Sequence, residues 1–414
     1  MKKTTLFCCL LTLAAVSKMA AQNPGCDGAR YIDDVFTTVK KTTVNYAPTV
    51  GHLNNAMTLA MDIYEPEGDN LSARPAVVLA HGGSFVLGDK NSMQPWCELL
   101  ARKGYVAVSI QYRLFPFFTL GFPDSLDIFD TAVKAVGDMR AAARFLREDA
   151  ATANLYRIDA DNVFIGGYSA GAVTALHCGM IDETDEVPAF LQTIIDNNGG
   201  LDGISGSVSN RTYASDAKAI VNMSGGLYRK EWVGANNLPL VSIHGTADGT
   251  VNYVYGLAAN IAYLEGSSLL HVQAESVGLW NFLQTVPGGG HTNVYSDVQY
   301  QPHLDTFWTQ ATTLLESLTC ALVDVDEATI SAENWSVYPN PNAGTSFVVQ
   351  LPASVQVADL KISDLTGKTL LEVKNIQDQA VIPLKNLPQG AYILQIQNPV
   401  EPGRRFKSQQ LIKQ

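Results

Sequence analysis

Basic residues are scarce in this chain: 28 lysines and arginines stand against 40 aspartates and glutamates, a formal net charge of −12. Phosphate binding needs a basic surface, and no basic cluster interleaved with aromatics offsets the acidic balance, so nucleic acid is excluded as the main partner. Charge of either sign is sparse, at 16% against 46% hydrophobic residues, which excludes a disordered or coiled-coil chain. Long apolar runs are missing too. The best candidate, Leu6 to Val16, falls short of the roughly 18 residues that a membrane span requires, so no transmembrane segment is expected. CxxC, HExxH and EF-hand patterns do not occur, which leaves a metal site without support.

What is present begins with an export pattern. Lys2 and Lys3 precede the short apolar run, and Ala20-Ala21 supply small residues for cleavage, so residues 1–21 read as a signal peptide. Cys8 and Cys9 leave with it. Four cysteines remain for an oxidising compartment: Cys26 and Cys320 bracket the first large segment, a pairing that ties its ends together, while Cys97 and Cys178 also suit buried small apolar sites. Spacing decides neither pairing.

At 414 residues the chain exceeds one comfortable core, and its patterning changes along its length. Between about Tyr31 and Leu322, β-rich apolar runs (75–83, 105–113, 162–167, 219–226, 238–245) alternate with helical stretches such as 96–104 and 131–149. Buried Val- and Ile-rich strands separated by helices predict an α/β unit with a mainly parallel, doubly wound sheet. Past the polar and acidic stretch 321–334, short alternating strands punctuated by Pro-Asn-Pro, Thr-Gly and Gln-Gly turns predict a small β-sandwich. The expected division is 22–330 and 331–414.

Chemistry concentrates in the first of these units. Gly167-Tyr168-Ser169-Ala170-Gly171 fits G-x-S-x-G, with a strand before it and a helix after it. A serine there sits on a tight turn at a helix N-terminus, where the hydroxyl is exposed and the helix dipole favours a developing oxyanion. A hydroxyl needs a base, and the base an orienting acid. His291, ending the glycine-rich VPGGGH loop, is the candidate base; His271, in an apparently strand-like run, and His303, opening an apparent helix, suit structural positions. Asp248 follows the strand LVSIHG, and the order Ser169, Asp248, His291 is the one this architecture uses. Asp216 and Asp297 are its rivals, and neither follows a comparable strand. Consecutive glycines in LAHGGSF (79–85) let backbone N–H groups turn toward a substrate oxygen, so Gly83 and Ser84, with Ala170, are the expected oxyanion donors.

These motifs together resemble the α/β-hydrolase fold and, within it, the carboxylesterases related to hormone-sensitive lipase. HGGSF resembles their HGGGF loop, Tyr112-Arg113-Leu114 their Y-R-L, residues 138–148 their helix ahead of the serine turn, and GYSAG and HGTAD complete the set. Ser84 replaces a third glycine, and its Cβ implies a backbone with φ below zero. Tyr168 replaces an acidic residue common among relatives. The last 80 or so residues, with VYPNPNAG, DLTGK, LPQGAYIL and the ending LIKQ, resemble the sorting domain that directs Bacteroidetes proteins through type IX secretion. That resemblance implies the secretion machinery as a partner and a secreted or cell-surface protein.

The expected activity is hydrolysis of short acyl or aryl esters through an acyl-enzyme, with no cofactor, and esters decorating plant polysaccharides are one candidate substrate. A serine peptidase of the same fold, a catalytically silent binding protein, and a carbohydrate-binding C-terminal domain are the alternatives. For the substrate pocket, Phe115, Phe117 and Phe118, directly after a strand end, and Tyr168 beside the serine are the candidates. Residues 186–217 occupy the usual place of a lid, and their Gly, Ser and Asn content predicts mobility.

Overall fold

The computed structural model describes residues 25–320 and 335–413, apart from 341, 343, 353, 365–367, 386 and 400–408. The signal peptide expected over 1–21 and the boundary expected near residue 330 both lie outside the described residues. The chain divides into two compact units after Leu322.

In the first unit, strands β1 (Val39–Val50), β2 (Ala56–Pro66), β3 (Arg74–Ala80), β4 (Val106–Ile110), β5 (Ile158–Tyr168), β6 (Ile220–Met223), β8 (Leu240–Gly245) and β11 (Asn281–Val286) form one sheet in the order β1-β2-β4-β3-β5-β6-β8-β11. Strands β7 (Gly226–Leu227), β9 (Tyr255–Ala258) and β10 (Ala262–Gly266) make a small separate sheet. From β4 onward every neighbour in the large sheet is parallel, whereas β1 and β2 enter antiparallel. Every residue of β3 and β4 is buried, and apart from Arg74, Pro75 and Ser109 they are Val, Ala, Leu and Ile, as strands covered by helices on both faces require. The edge hairpin of β1 and β2 was not foreseen as strands: Pro48 interrupts the first, and only half of its face is covered.

Helices α1 (Gln94–Arg102), α2 (Phe117–Leu120), α3 (Ser125–Ala151), α4 (Ala170–Met180), α5 (Ala189–Asn197), α6 (Ser267–Val277) and α7 (Gln301–Thr319) complete the unit. The 27-residue α3 starts at a reciprocal capping box between Asp124 and Asp127, which satisfies two otherwise orphaned N–H groups. Behind it lies a fully buried ion pair: Asp138 accepts from the Arg113 backbone N–H at 2.8 Å and from its Nε at 3.0 Å, and also from the Ser205 hydroxyl. Charges withdrawn from water are tolerated only when paired and hydrogen-bonded in this way. The segment expected to be a mobile lid contains α5, with Leu191 and Ile195 buried, and Arg144 fastens the following loop by donating to Asp202 O and Ser205 O. His271 lies on α6 rather than on a strand: Gly266 and Gly278 bound a run with few β-branched residues, and Gly278 closes it in the left-handed conformation.

Cys26 and Cys320 form a disulfide across 294 residues of chain, with Cα atoms 5.6 Å apart, while Cys97 and Cys178 are buried as free thiols. Of the pairings left open by the sequence, the one that ties the ends of the unit is realised.

The second unit contains two antiparallel sheets. One joins β12 (Ser336–Tyr338), β13 (Ser346–Gln350) and β16 (Ala380–Pro383). The other joins β14 (Ala358–Ser363), β15 (Thr369–Ile376), β17 (Gly390–Gln397) and β18 (Gln409–Lys413). Phe347, Val349 and Ile382 of the first sheet share a core with Leu360, Ile362 and Leu394 of the second, as expected of a small β-sandwich.

Candidate active site

Ser169 stands at the crossing from β5 to α4, with φ 56° and ψ −121°, a conformation that costs a non-glycine residue free energy. Two backbone bonds hold it there: Ser169 N–H donates to Met223 O at 2.9 Å, and Val173 N–H to Ser169 O at 2.9 Å. The turn packs so closely on β3 that a Cβ on Gly171 would lie 2.0 Å from Ala80 O. This close approach is why the motif needs glycine after the serine.

His291 reaches the serine from the loop after β11. Its Nε2 lies 2.8 Å from Ser169 Oγ and its Nδ1 2.7 Å from Asp248 Oδ2. Tyr168 steadies the same loop: its hydroxyl donates to His291 O at 3.1 Å, and burial pushes that phenol up to about 12. Asp248 sits in the turn after β8. Its Oδ1 accepts the Thr250 and Val251 N–H groups at 2.8 and 2.9 Å, while its Oδ2 faces two imidazoles, His291 and, at 3.2 Å, His244 Nε2. Burial alone would raise the Asp248 carboxyl, but hydrogen bonds from His244 and His291 outweigh it and hold the group well below the usual carboxylate range.

His244 had no assigned role in the sequence, though it lies in the same HGTAD stretch as Asp248. It is fully buried. Nε2 faces two acceptors, Val251 O at 2.9 Å and Asp248 Oδ2, so it carries the proton, and Nδ1 accepts from Ser267 Oγ at 2.8 Å. Ser267 Oγ in turn accepts from Asn222 Nδ2 at 3.0 Å. A buried polar chain thus backs the carboxylate. The rival acids are elsewhere: Asp216 is exposed beside Arg147, and Asp297 bonds its own neighbour Ser296.

The 83–85 loop runs through three consecutive positive φ values, 124° at Gly83, 53° at Ser84 and 64° at Phe85. The φ below zero expected for Ser84 is therefore not what the backbone adopts. Val86 and Leu87 both donate to Gly83 O, at 3.1 and 3.0 Å, and this tight turn forces Ser84 into the left-handed region, which a short polar residue tolerates. Beneath it, His81 stacks on Tyr112 with centroids 4.3 Å apart, and the Tyr112 hydroxyl donates to His81 O. Among the described residues, the N–H groups of Gly83, Ser84 and Ala170 have no acceptor. Preorganised donors of this kind are what a developing oxyanion requires.

Ser169, Ser84 and Ala170 open onto an apolar cleft. Phe85, Ile128, Phe129, Val173 and Val251 line it, together with residues of the β9–β10 hairpin. The expected pocket residues are not among them. Phe115 is buried, with its N–H donating to Phe85 O; Phe117 and Phe118 pack on each other, with Phe118 87% exposed; Tyr168 supports the His291 loop. The chain turns outward through α2 before α3 brings Ile128 and Phe129 back, so proximity to a strand end was a poor guide here. An apolar pair on the first turns of α3 was the available signal.

A serine hydroxyl bonded to an imidazole, itself bonded to a buried carboxylate, can pass its proton to that imidazole while its oxygen attacks an electrophile. Against known proteins, residues 61–227 match the family BD-FAE, and residues 336–412 match the secretion system C-terminal sorting domain. Esterase-5C of Drosophila miranda is 30% identical over 126 residues, which is 30% of this chain and 22% of that protein. Esterase P of Drosophila melanogaster is 30% identical over 125 residues, with the same shares. The chain thus spans 22% of the length of these curated relatives. Among solved structures, propionate-bound esterase 2 of Thermogutta terrifontis is 20% identical with a TM-score of 0.48, covering 68% of this chain and 95% of that one. A truncated carbohydrate esterase from gut microbiota is 20% identical with a TM-score of 0.46, covering 68% of this chain and 98% of that one.

Proposed function

We propose that this chain, a BD-FAE domain of α/β-hydrolase fold followed by a secretion system sorting domain, is a secreted carboxylesterase. The observation that carries the proposal is the unbroken relay from Ser169 Oγ through His291 to Asp248, beside three unpaired backbone donors at the head of an apolar cleft.

The reaction follows from those contacts. Ser169 Oγ attacks the ester carbonyl carbon as its proton moves to His291 Nε2, and the carbonyl oxygen takes up negative charge facing the N–H groups of Gly83, Ser84 and Ala170. Collapse of this intermediate breaks the bond to the alcohol oxygen, which leaves with the proton from His291. Water, deprotonated by the same nitrogen, then attacks the acyl-enzyme and returns the serine hydroxyl and a carboxylic acid. Asp248 holds the imidazole tautomer and stabilises its cation throughout. The residues of this relay account for each proton without a cofactor. Short acyl or aryl esters suit the cleft, and esters carried on plant polysaccharides are among the substrates to be tried.

The sorting domain assigns the protein to the type IX secretion machinery, and thereby to the cell surface or exterior. A disulfide joining Cys26 and Cys320 agrees with an oxidising destination. The test is hydrolysis of p-nitrophenyl esters from acetate to decanoate by the protein and its Ser169→Ala variant. Loss of turnover by about a thousandfold or more supports the proposal, and near wild-type turnover in the variant refutes it.

A further inference from the structure

Beyond the cleft at Ser169 lies a second apolar cavity, lined by α3, α4 and α5. The two share part of their walls: Phe129 and Ala132 of α3, and Val173 and His177 of α4, line both. Past these four, the second cavity continues along the same helices to Val136 and Ile181 and is closed by Leu191 and Ile195 of α5.

The partition is held in place. The Phe129 ring meets Phe190 and Tyr228 edge-on, each with centroids 5.4 Å away, so it is clamped from two sides. His177 is fixed too: its Nδ1 bonds Val173 O at 2.8 Å and its Nε2 accepts from Tyr228 N–H at 3.2 Å. The remaining polar side chain in the wall, Thr174, donates to Ala170 O at 2.9 Å. The polar side chains of the wall are thus engaged, and the cavity offers its contents mainly apolar surface, which suits alkyl chains and penalises hydroxylated or charged groups.

We propose that this cavity is the distal half of the acyl-binding site, and that Phe129 is the specificity-determining residue that caps the acyl chain at the end of the first cleft. The inference rests on the esterase reading above. The acyl group stays on Ser169 through both halves of that reaction while the alcohol departs midway, so a recess along α4, the helix that Ser169 begins, serves the group that remains. Aliphatic acyl chains are the class admitted once the cap is removed.

The experiment compares p-nitrophenyl butyrate with p-nitrophenyl octanoate, so that only the acyl group changes. Wild type should favour butyrate. Phe129→Ala should raise the octanoate-to-butyrate ratio of kcat/KM by about tenfold, and Phe129→Leu, a milder truncation, by less. Adding Leu191→Trp to Phe129→Ala refills the distal cavity from its far wall and should return the ratio to the wild-type value. An unchanged ratio in both Phe129 variants overturns the proposal, as does a gain that survives Leu191→Trp, since the chain would then be accommodated elsewhere. Absence of Ser169-dependent turnover on either ester overturns the esterase reading and this inference with it. Turnover with an unmoved ratio overturns the inference alone.

Discussion

His244 and His291 converge on one oxygen of Asp248, from 3.2 and 2.7 Å. Only His291 can touch Ser169, so His244 acts through the carboxylate as a positioning residue, one donor in a buried chain that reaches Ser267 and Asn222. A hydrogen bond to a charged group contributes about 1.5–3 kcal/mol. His244→Leu should therefore lower kcat by about tenfold or more while KM stays within about twofold. His244→Gln, which keeps an N–H for the carboxylate, should recover part of the loss. Equal damage from the two variants, or damage confined to KM, would remove His244 from this role.

Strain at Ser169 has a thermodynamic signature. The backbone at φ 56° and ψ −121° penalises any side chain, and alanine inherits the penalty. Ser169→Gly should thus be more stable than Ser169→Ala by about 1 kcal/mol, the relief of strain outweighing the extra freedom glycine gains in the unfolded chain. Chemical denaturation of the two variants measures the difference directly, and the opposite order would mean that the turn is relaxed.

Acid stability should depend on His177. Burial lowers its imidazole from an ordinary 6.5 to about 4, so between these values the unfolded chain holds a proton that the folded chain refuses. Stability then falls as the pH drops from about 6.5 to about 4, by about 3 kcal/mol in all, and this contribution is constant below that window. The depressed carboxyls of Asp248 and Asp130 add losses only at still lower pH. Unfolding free energies across this range should show a flatter curve for His177→Gln than for the wild type. Parallel curves would rule out this assignment.

Much of the candidate site was legible because each part is encoded in a short local pattern. GYSAG, VPGGGH and HGTAD each join a strand to a sharp turn, and the parallel order of β5, β8 and β11 delivers those turns to one edge of the sheet. The same reasoning failed where a wall is assembled from distant pieces. The cleft takes Phe129 from α3, Val173 from α4 and Ala258 from β9, and no window of sequence contains that juxtaposition. Ser84 shows a subtler limit: its residue type argues for φ below zero, yet the two bonds converging on Gly83 O impose the opposite sign. Strand β1 is less legible because it is the edge strand, with few of its residues buried and Pro48 within it.

The bond between Cys26 and Cys320 makes a covalent ring of the segment that holds Ser169, Asp248 and His291. A protease acting anywhere beyond Cys320 can detach the sorting domain without opening that ring. A single nick inside it leaves the two fragments joined and migrating as one species until a reductant is added. Loss of the sorting domain and survival of the ring that holds these three side chains are therefore separable events, and the cysteine at the far end of α7 marks where one stops and the other begins.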